Sequence, residues 1–188
     1  MSKEEFLFCP LGGSGEIGMN LNLYAFGKED SHKWIAVDMG VTFADDSIPG
    51  IDLIYPDPGF LIEKKKELLG IILTHAHEDH IGSVALIWPE LKCRIYATPF
   101  TAALIKEKFR EKKIDITHYL QIVQLNGKIK LEGVQLKNNE PHTYKLTFYG
   151  NIVNLKDTLG EDKLSNLTQL HYLDFQYNLI QYYFEHYH

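Results

Sequence analysis

The segment from Gly70 to His80 constrains the fold of this chain more than any other feature of its sequence. It begins with the apolar run Gly70-Ile71-Ile72-Leu73-Thr74, typical of a short buried strand, and continues as His75-Ala76-His77-Glu78-Asp79-His80. Potential metal ligands are therefore concentrated in a turn between a strand and a predicted helix. Such a turn can aim several side chains at one small volume, which a regular strand or helix cannot do. We predict a metal site formed by His75, His77, Asp79 and His80.

The ligand types of this segment indicate which metal it binds. Imidazole and carboxylate are ligands that zinc and manganese accept. The set divides into two pairs, His75 with His77 and Asp79 with His80, which suits two neighbouring ions about 3.5–4 Å apart, as in two-metal hydrolases. A charged turn with three histidines can also arise by chance, but here the strand, turn and helix lie where a metal site needs them. We predict Zn²⁺ as the cofactor, up to two ions per chain, with Mn²⁺ as the other candidate.

Asp38 is the second candidate site residue. It ends the apolar strand Trp34-Ile35-Ala36-Val37 and is followed by Met39-Gly40. An acidic residue at a strand end is often only a turn former. Next to a histidine cluster, however, it is a plausible acceptor for the ring N–H of a ligand histidine, which would fix the tautomer of that ring. We assign the catalytic set to Asp38, Asp79 and His80.

The glycine-rich segment Gly13-Ser14-Gly15-Glu16-Ile17-Gly18 matches the GxGxxG pattern of dinucleotide-binding folds. That pattern must open a helix, whereas Met19 to Phe26 alternates polar and apolar residues like a strand. We therefore interpret it as a tight loop whose small residues let the backbone approach the site.

Strands alternate with helices through most of the chain, which predicts an α/β fold. The predicted strands are 6–9, 20–26, 34–38, 70–74 and 94–97, and the predicted helices are 60–69, 80–88 and 98–113. Thr98 and Pro99 suit the N-cap and first position of the last helix. Gly70 is the expected C′ residue of the first helix, and Pro89 is expected to follow the end of the second.

Composition narrows the class of protein. With 188 residues, 45% of them hydrophobic, the chain can bury one ordinary core. No apolar run approaches the about 20 residues of a membrane helix, and no signal-peptide pattern begins the chain, so we predict a cytoplasmic protein without membrane association. Cys9 and Cys93 are predicted to be reduced thiols. The net charge of −6 argues against non-specific DNA binding but leaves RNA open as a substrate.

Taken together, four segments resemble the ribonuclease J family, in the β-CASP branch of the metallo-β-lactamase superfamily. They are 11–20 (LGGSGEIGMN), 37–40 (VDMG), 50–57 (GIDLIYPD) and 74–82 (THAHEDHIG). The histidine motif alone indicates the superfamily, and the glycine-rich opening and GIDLIYPD indicate the branch. The resemblance covers about residues 6–132.

The resemblance implies an αββα sandwich, two metal ions, usually zinc, and RNA phosphodiester hydrolysis by 5′→3′ exonuclease and endonuclease action in cytoplasmic homo-oligomers. Carried over by position, His75 and His77 would hold one ion, Asp79 and His80 the other, and Asp38 would be the supporting carboxylate.

Later ligand motifs of the family, a histidine in Thr-His-Ser and an aspartate in Gly-Asp-Trp, do not occur in this sequence. His142 and Asp162 lie at roughly suitable distances along the sequence, but their neighbouring residues do not match these motifs. We therefore expect residues 1–132 to form the N-terminal part of the domain, so that only this half of the sandwich is complete. Residues 133–188 are expected to be a divergent, poorly ordered tail.

Three functions are left open by the sequence. The first is a truncated ribonuclease J-type hydrolase whose activity is uncertain, and the second is a superfamily hydrolase of small substrates such as thioesters. The third is a non-catalytic remnant that only associates with other proteins. A complete ligand set that includes His142 or Asp162 would favour the second, and weak metal binding would favour the third.

Overall fold

The computed structural model describes residues 4–29, 31–44, 48–124, 128–135, 141–149 and 152–156. The chain divides into two compact units, Met1–Ile122 and Val123–His188. The elements of the first unit, in chain order, are β1 (Glu4–Gly12), β2 (Leu21–Lys28), β3 (Lys33–Val37), β4 (Thr42–Phe43), β5 (Leu53–Ile54), α1 (Gly59–Glu63), β6 (Leu68–Leu73), α2 (Glu78–Ile81), α3 (Val84–Leu91), β7 (Ile95–Ala97), α4 (Pro99–Glu111) and β8 (Leu120–Ile122).

A six-stranded mixed sheet, in the order β1-β2-β3-β6-β7-β8, organises the first unit. Strands β1, β2 and β3 are antiparallel neighbours, so the hairpin predicted from residues 20–38 is present. Strands β3, β6, β7 and β8 run parallel, and helices α3 and α4 lie in the connections after β6 and β7. This mixture of parallel strands and connecting helices confirms the predicted α/β class.

One continuous apolar core holds the helices against the sheet. Alternate residues of the central strands enter it, among them Ala36 of β3 and Leu73 of β6. The helices contribute Trp88 and Phe109, whose rings pack edge to face with centroids 5.4 Å apart. Buried aromatic rings of this size remove a large apolar area from water and so fix the position of α3 and α4 over the strands.

The first predicted helix is shorter than expected. Helix α1 ends at Glu63, and β6 begins at Leu68, so the helix predicted over 60–69 is wrong in its second half. Gly70 lies inside β6 rather than at a helix terminus. A Cβ at this position would come 2.7 Å from the ring of Tyr96 on the neighbouring strand. Glycine is therefore required at residue 70 because the two strands approach closely.

The second predicted helix differs as well. It divides into α2 and α3 at Gly82-Ser83, and α3 continues through Pro89 to Leu91 instead of ending before the proline. Proline removes one helical hydrogen bond and normally ends a helix. Here Leu91 is buried in the core and keeps the last turn in place. The third helix begins as predicted, with Thr98 as its N-cap and Pro99 at its first position.

The second unit contains a three-stranded antiparallel sheet in the order β11-β10-β9, formed by β9 (Lys128–Gln135), β10 (Pro141–Tyr149) and β11 (Ile152–Lys156). Ile129 and Leu131 of β9 are both buried. His142 lies on β10 opposite Val134 of β9. The predicted boundary at residue 132 and the poor order expected of 133–188 stay predictions.

In the part of the chain that the structure describes, no helix is long and apolar enough to cross a membrane. Cys9 and Cys93 are both free thiols. Burial raises the pKa of the Cys93 thiol to about 12, so this residue remains protonated and unreactive at neutral pH.

Candidate metal centre

The candidate site lies where two parallel strands end side by side. Strand β3 ends at Val37 and delivers Asp38, while β6 ends at Leu73 and delivers Thr74 and His75. Val37 is paired with Ile72, so the residues that follow both strands meet at the same edge of the sheet. Functional groups of open α/β sheets collect at this carboxyl edge.

Asp38 joins the two strand ends through hydrogen bonds. Its Oδ1 accepts hydrogen bonds from the Thr74 backbone N–H at 2.8 Å and from the Thr74 hydroxyl at 2.9 Å. Its Oδ2 lies 2.7 Å from Nδ1 of His80, which is the contact with a histidine ring that the sequence predicts. Asp38 is 1% exposed and has a φ of 64°, a left-handed conformation that aspartate tolerates better than most residues.

The four predicted ligands form two pairs of adjacent donor atoms. Nε2 of His75 lies 3.1 Å from Nδ1 of His77, and Nε2 of His80 lies 3.3 Å from Oδ2 of Asp79. The His75 and His80 rings, with centroids 3.9 Å apart, bring the two pairs next to each other. Among the described residues, no three histidine, cysteine or acidic side chains form a group that could hold one ion.

The spacing within each pair fits a zinc ion. Two zinc–nitrogen bonds of about 2.0–2.1 Å that meet at a tetrahedral angle place the two nitrogens about 3.3–3.4 Å apart, and a zinc–oxygen bond changes this little. Both observed separations, 3.1 Å and 3.3 Å, lie close to that value. Each pair therefore suits two ligands of one ion, and each ion would need at least one further ligand.

Asn20 ends the first family-like segment, 11–20, but its role in the site was not predicted. Its backbone N–H and its side-chain Nδ2 each donate to the carbonyl oxygen of Asp79 at 3.0 Å. Asn20 is 2% exposed, and its own carbonyl accepts the Gly40 N–H at 2.9 Å. It therefore anchors the backbone of the ligand segment to the start of β2, across a sequence separation that no local motif indicates.

Two glycines, Gly40 and Gly13, lie against this anchor at positions where a Cβ would overlap Asp79 or Asn20. A Cβ at Gly40 would lie 1.6 Å from the carbonyl oxygen of Asp79, and one at Gly13 would lie 2.0 Å from Oδ1 of Asn20. The residues from 13 to 18 form a bent loop followed by β2 and not by a helix. The interpretation of this segment as a close-approach loop, and not as a dinucleotide-binding turn, is therefore confirmed.

The ligand segment is also tied to helix α4 by an ion pair. Nζ of Lys108 lies 2.7 Å from each carboxylate oxygen of Glu78, and both side chains are partly exposed. Such a pair contributes little energy in water, yet it restricts the direction of the Glu78 side chain between two predicted ligands. The other basic residues of this helix, Lys106 and Arg110, are exposed.

His75 is prepared for a ligand role by its surroundings. Burial lowers the pKa of the His75 ring below its usual value, and the neighbouring His80 lowers it further, although Asp38 acts in the opposite direction. A lowered pKa keeps the imidazole neutral near pH 7, and only a neutral imidazole has a free nitrogen lone pair for a metal.

The two later candidates are not joined to this cluster by any observation. His142 lies on β10 of the second unit, where only the backbone is described, and Asp162 lies outside the described residues.

The chain matches known proteins both as a superfamily and as individual relatives. The model of the metallo-β-lactamase superfamily matches residues 45–144, just over half of the chain. The chain therefore belongs to the metallo-β-lactamase superfamily, whose fold agrees with the mixed sheet and flanking helices described above.

Within this superfamily the chain is similar to proteins named ribonuclease J. It is 43% identical over 162 residues to ribonuclease J of Sinorhizobium meliloti, a match that covers 82% of this chain and 29% of the relative. Ribonuclease J of Helicobacter pylori strain 26695 is 38% identical over 124 residues, a match that covers 65% of this chain and 17% of the relative. Ribonuclease J 2 of Staphylococcus aureus strain MRSA252 is 31% identical over 157 residues, a match that covers 84% of this chain and 26% of the relative.

The chain thus spans less than a third of the length of these relatives. A match covering 82% of the chain is longer than residues 1–132, so the similarity extends into the segment after residue 132. It therefore reaches well beyond the four motifs, the last of which ends at Gly82.

Proposed function

We propose that this chain contributes a dinuclear zinc centre to a phosphodiester hydrolase of the ribonuclease J type, with RNA as its substrate. The observation that carries the proposal is the arrangement of the ligand segment into two donor pairs, at 3.1 Å and 3.3 Å, beside the buried carboxylate of Asp38. The similarity to ribonuclease J, at 43% identity, supports RNA as the polymer. Self-association and a cytoplasmic location stay predictions from the resemblance.

In this proposal His75 and His77 hold one ion, and Asp79 and His80 hold the other. When bound, two such ions supply Lewis acidity that activates water near neutral pH and stabilises the charge that develops on the phosphodiester. Manganese remains the alternative metal because the same nitrogen and oxygen donors accept it. The sequence leaves open whether His142, Asp162 or neither supplies a further ligand.

The chain's own residues orient this centre. Asp38 accepts the Nδ1 proton of His80, so Nε2, which lies 3.3 Å from Oδ2 of Asp79, is the ring nitrogen that remains for a metal ion. A carboxylate that accepts the ring N–H of a ligand histidine fixes its tautomer and raises its basicity. Asn20 fixes the backbone of Asp79 at the same time, so both members of this pair are positioned before any metal binds.

Cleavage of a single-stranded RNA in the presence of Zn²⁺ or Mn²⁺ tests the proposal. We expect the wild-type chain to release short products and Asp79→Asn to reduce the rate at least about 100-fold, because even residues that only support a ligand contribute 10–100-fold. Asp115→Asn is the matched control, since Asp115 is an exposed carboxylate on the surface.

An RNA substrate left intact by the wild-type chain, or cleaved equally well by Asp79→Asn, would contradict the proposal. Hydrolysis of a thioester without cleavage of RNA would assign the chain to the small-substrate hydrolases instead. Binding of neither metal nor RNA would leave only the non-catalytic alternative.

A further inference from the structure

We propose that the Thr74 hydroxyl is a positioning group that links His75 to the buried Asp38, so that one carboxylate sets the ring tautomers of a histidine in each metal pair. This inference rests on the proposed metal-binding function and adds a residue to it. Asp38 contacts His80 directly, but its link to His75 runs through Thr74.

The geometry places Thr74 between the carboxylate and both rings. Its Oγ1 lies 2.9 Å from each oxygen of Asp38, 3.1 Å from Nδ1 of His75 and 3.4 Å from Nδ1 of His80. Thr74 is 5% exposed, and Asp38 and His80 are more deeply buried. Water therefore has little access to the hydrogen bonds of Thr74 with Asp38 and His80, whereas the His75 ring is only half-buried.

The number of protons decides the direction of each hydrogen bond. A hydroxyl has one proton and two lone pairs, while an ionised carboxylate only accepts. The Thr74 proton is therefore directed to Asp38, because a hydrogen bond to a charged acceptor is the stronger one. An Oγ1 lone pair remains for His75, so Nδ1 of His75 must carry a proton and donate it to Thr74.

The same reasoning applies to His80, whose Nδ1 lies 2.7 Å from Oδ2 of Asp38 and must donate to it. Nδ1 of each histidine thus carries a proton, which leaves Nε2 as the ring nitrogen available to a metal ion. The Nε2 atoms of His75 and His80 lie 3.1 Å from Nδ1 of His77 and 3.3 Å from Oδ2 of Asp79, respectively. A single carboxylate therefore prepares one ligand for each ion.

The test compares Thr74→Val, which keeps the side-chain shape but lacks the hydroxyl, with Thr74→Ser, which keeps the hydroxyl. The first readout is the tautomer of His75 in the metal-free full chain, from ¹⁵N chemical shifts of the ring nitrogens at about pH 8, where histidine is neutral. We expect the wild type and Thr74→Ser to carry the proton on Nδ1, and Thr74→Val to lose this preference.

The second readout is zinc affinity, measured by competition with a chromophoric chelator. We expect Thr74→Val to weaken one of two zinc sites by about 10–100-fold, the usual effect of losing a group that supports a ligand, and Thr74→Ser to remain within a few-fold of the wild type. Thr101→Val is the matched control, because Thr101 is a buried threonine whose hydroxyl is hydrogen-bonded to Thr98 and lies outside this cluster.

A wild-type His75 ring protonated on Nε2, or an unchanged His75 tautomer in Thr74→Val, would overturn the inference. The wild-type spectrum alone decides the first point, so the test does not depend on the stability of the valine variant. A wild type with the predicted tautomer that binds no zinc would contradict the proposed metal function and leave the Thr74 link intact.

Discussion

Replacement of Asp38 by alanine is expected to lower strongly both the stability of this chain and its affinity for metal. The carboxylate accepts hydrogen bonds from the Thr74 N–H, the Thr74 hydroxyl and Nδ1 of His80, all in a buried environment. Each donor left unsatisfied costs about 1–3 kcal/mol, so the free energy of unfolding should fall by several kcal/mol. Urea denaturation of the metal-free chain measures this loss.

The surface offers a close control for this experiment. Asp115 accepts hydrogen bonds from the backbone N–H and the hydroxyl of Thr117, at 2.8 Å and 2.6 Å. Asp38 accepts the same two kinds of donor from Thr74. The bonds from Thr117 lower the pKa of Asp115, but the residue is exposed, so water can replace them in Asp115→Ala. Equal destabilisation by the two alanine variants would contradict the structural role assigned to Asp38.

Asp38→Asn separates stability from metal binding. Asparagine tolerates the left-handed backbone of residue 38 as well as aspartate does and keeps a similar shape. It has no negative charge, however, and can no longer accept from all three donors. We expect Asp38→Asn to fold, to lose less stability than Asp38→Ala, and to bind zinc about 10–100-fold more weakly than the wild type.

Gly40→Ala is the second substitution with a very large expected effect. The added Cβ would lie 1.6 Å from the carbonyl oxygen and 2.1 Å from the carbonyl carbon of Asp79. Both atoms belong to the backbone, so no side-chain rotation relieves the overlap. Inserting a methylene into a well-packed core costs about 1–3 kcal/mol, and we expect this loss to exceed that range because the backbone itself must move.

The expected displacement also separates Asp79 from Asn20, so zinc binding should fall together with the melting temperature. Gly59→Ala is the control: the Cβ would meet only the exposed Asp57 side chain, at 3.2 Å, and a small shift of this side chain, whose Oδ1 also accepts the Gly59 N–H, relieves the contact. A Gly40→Ala chain that melts like Gly59→Ala and binds zinc like the wild type would contradict the tight packing described here.

The part of the site that the sequence predicts is the part formed by strand ends. His75 follows one apolar strand and Asp38 follows another, and parallel neighbours bring such residues together at one edge of the sheet. A contact between Asp38 and a ligand histidine could therefore be anticipated without a structure, although not that this histidine is His80. The role of Thr74 could not, because a threonine at the end of a strand is also an ordinary β-sheet residue.

The remaining features depend on tertiary contacts that no local pattern carries. Asn20 contacts Asp79 across 59 positions of sequence. Gly40 is required by the backbone of Asp79, which the sequence around Gly40 does not reveal. The same limit explains the wrong end of α1, since Gly70 is a sensible helix stop by local rules and is instead needed where β6 passes the ring of Tyr96.

The zinc content of the full chain at equilibrium tests the central claim most directly. The measurement is dialysis against a metal-buffered zinc solution followed by elemental analysis of the wild type, His77→Ala, and the double variant His77→Ala with Asp79→Asn. The double variant also reports zinc held by histidines elsewhere, such as His186 and His188. We predict two ions per wild-type chain above this background, and one in His77→Ala. A wild-type content no higher than that of the double variant would contradict the metal centre proposed for His75, His77, Asp79 and His80.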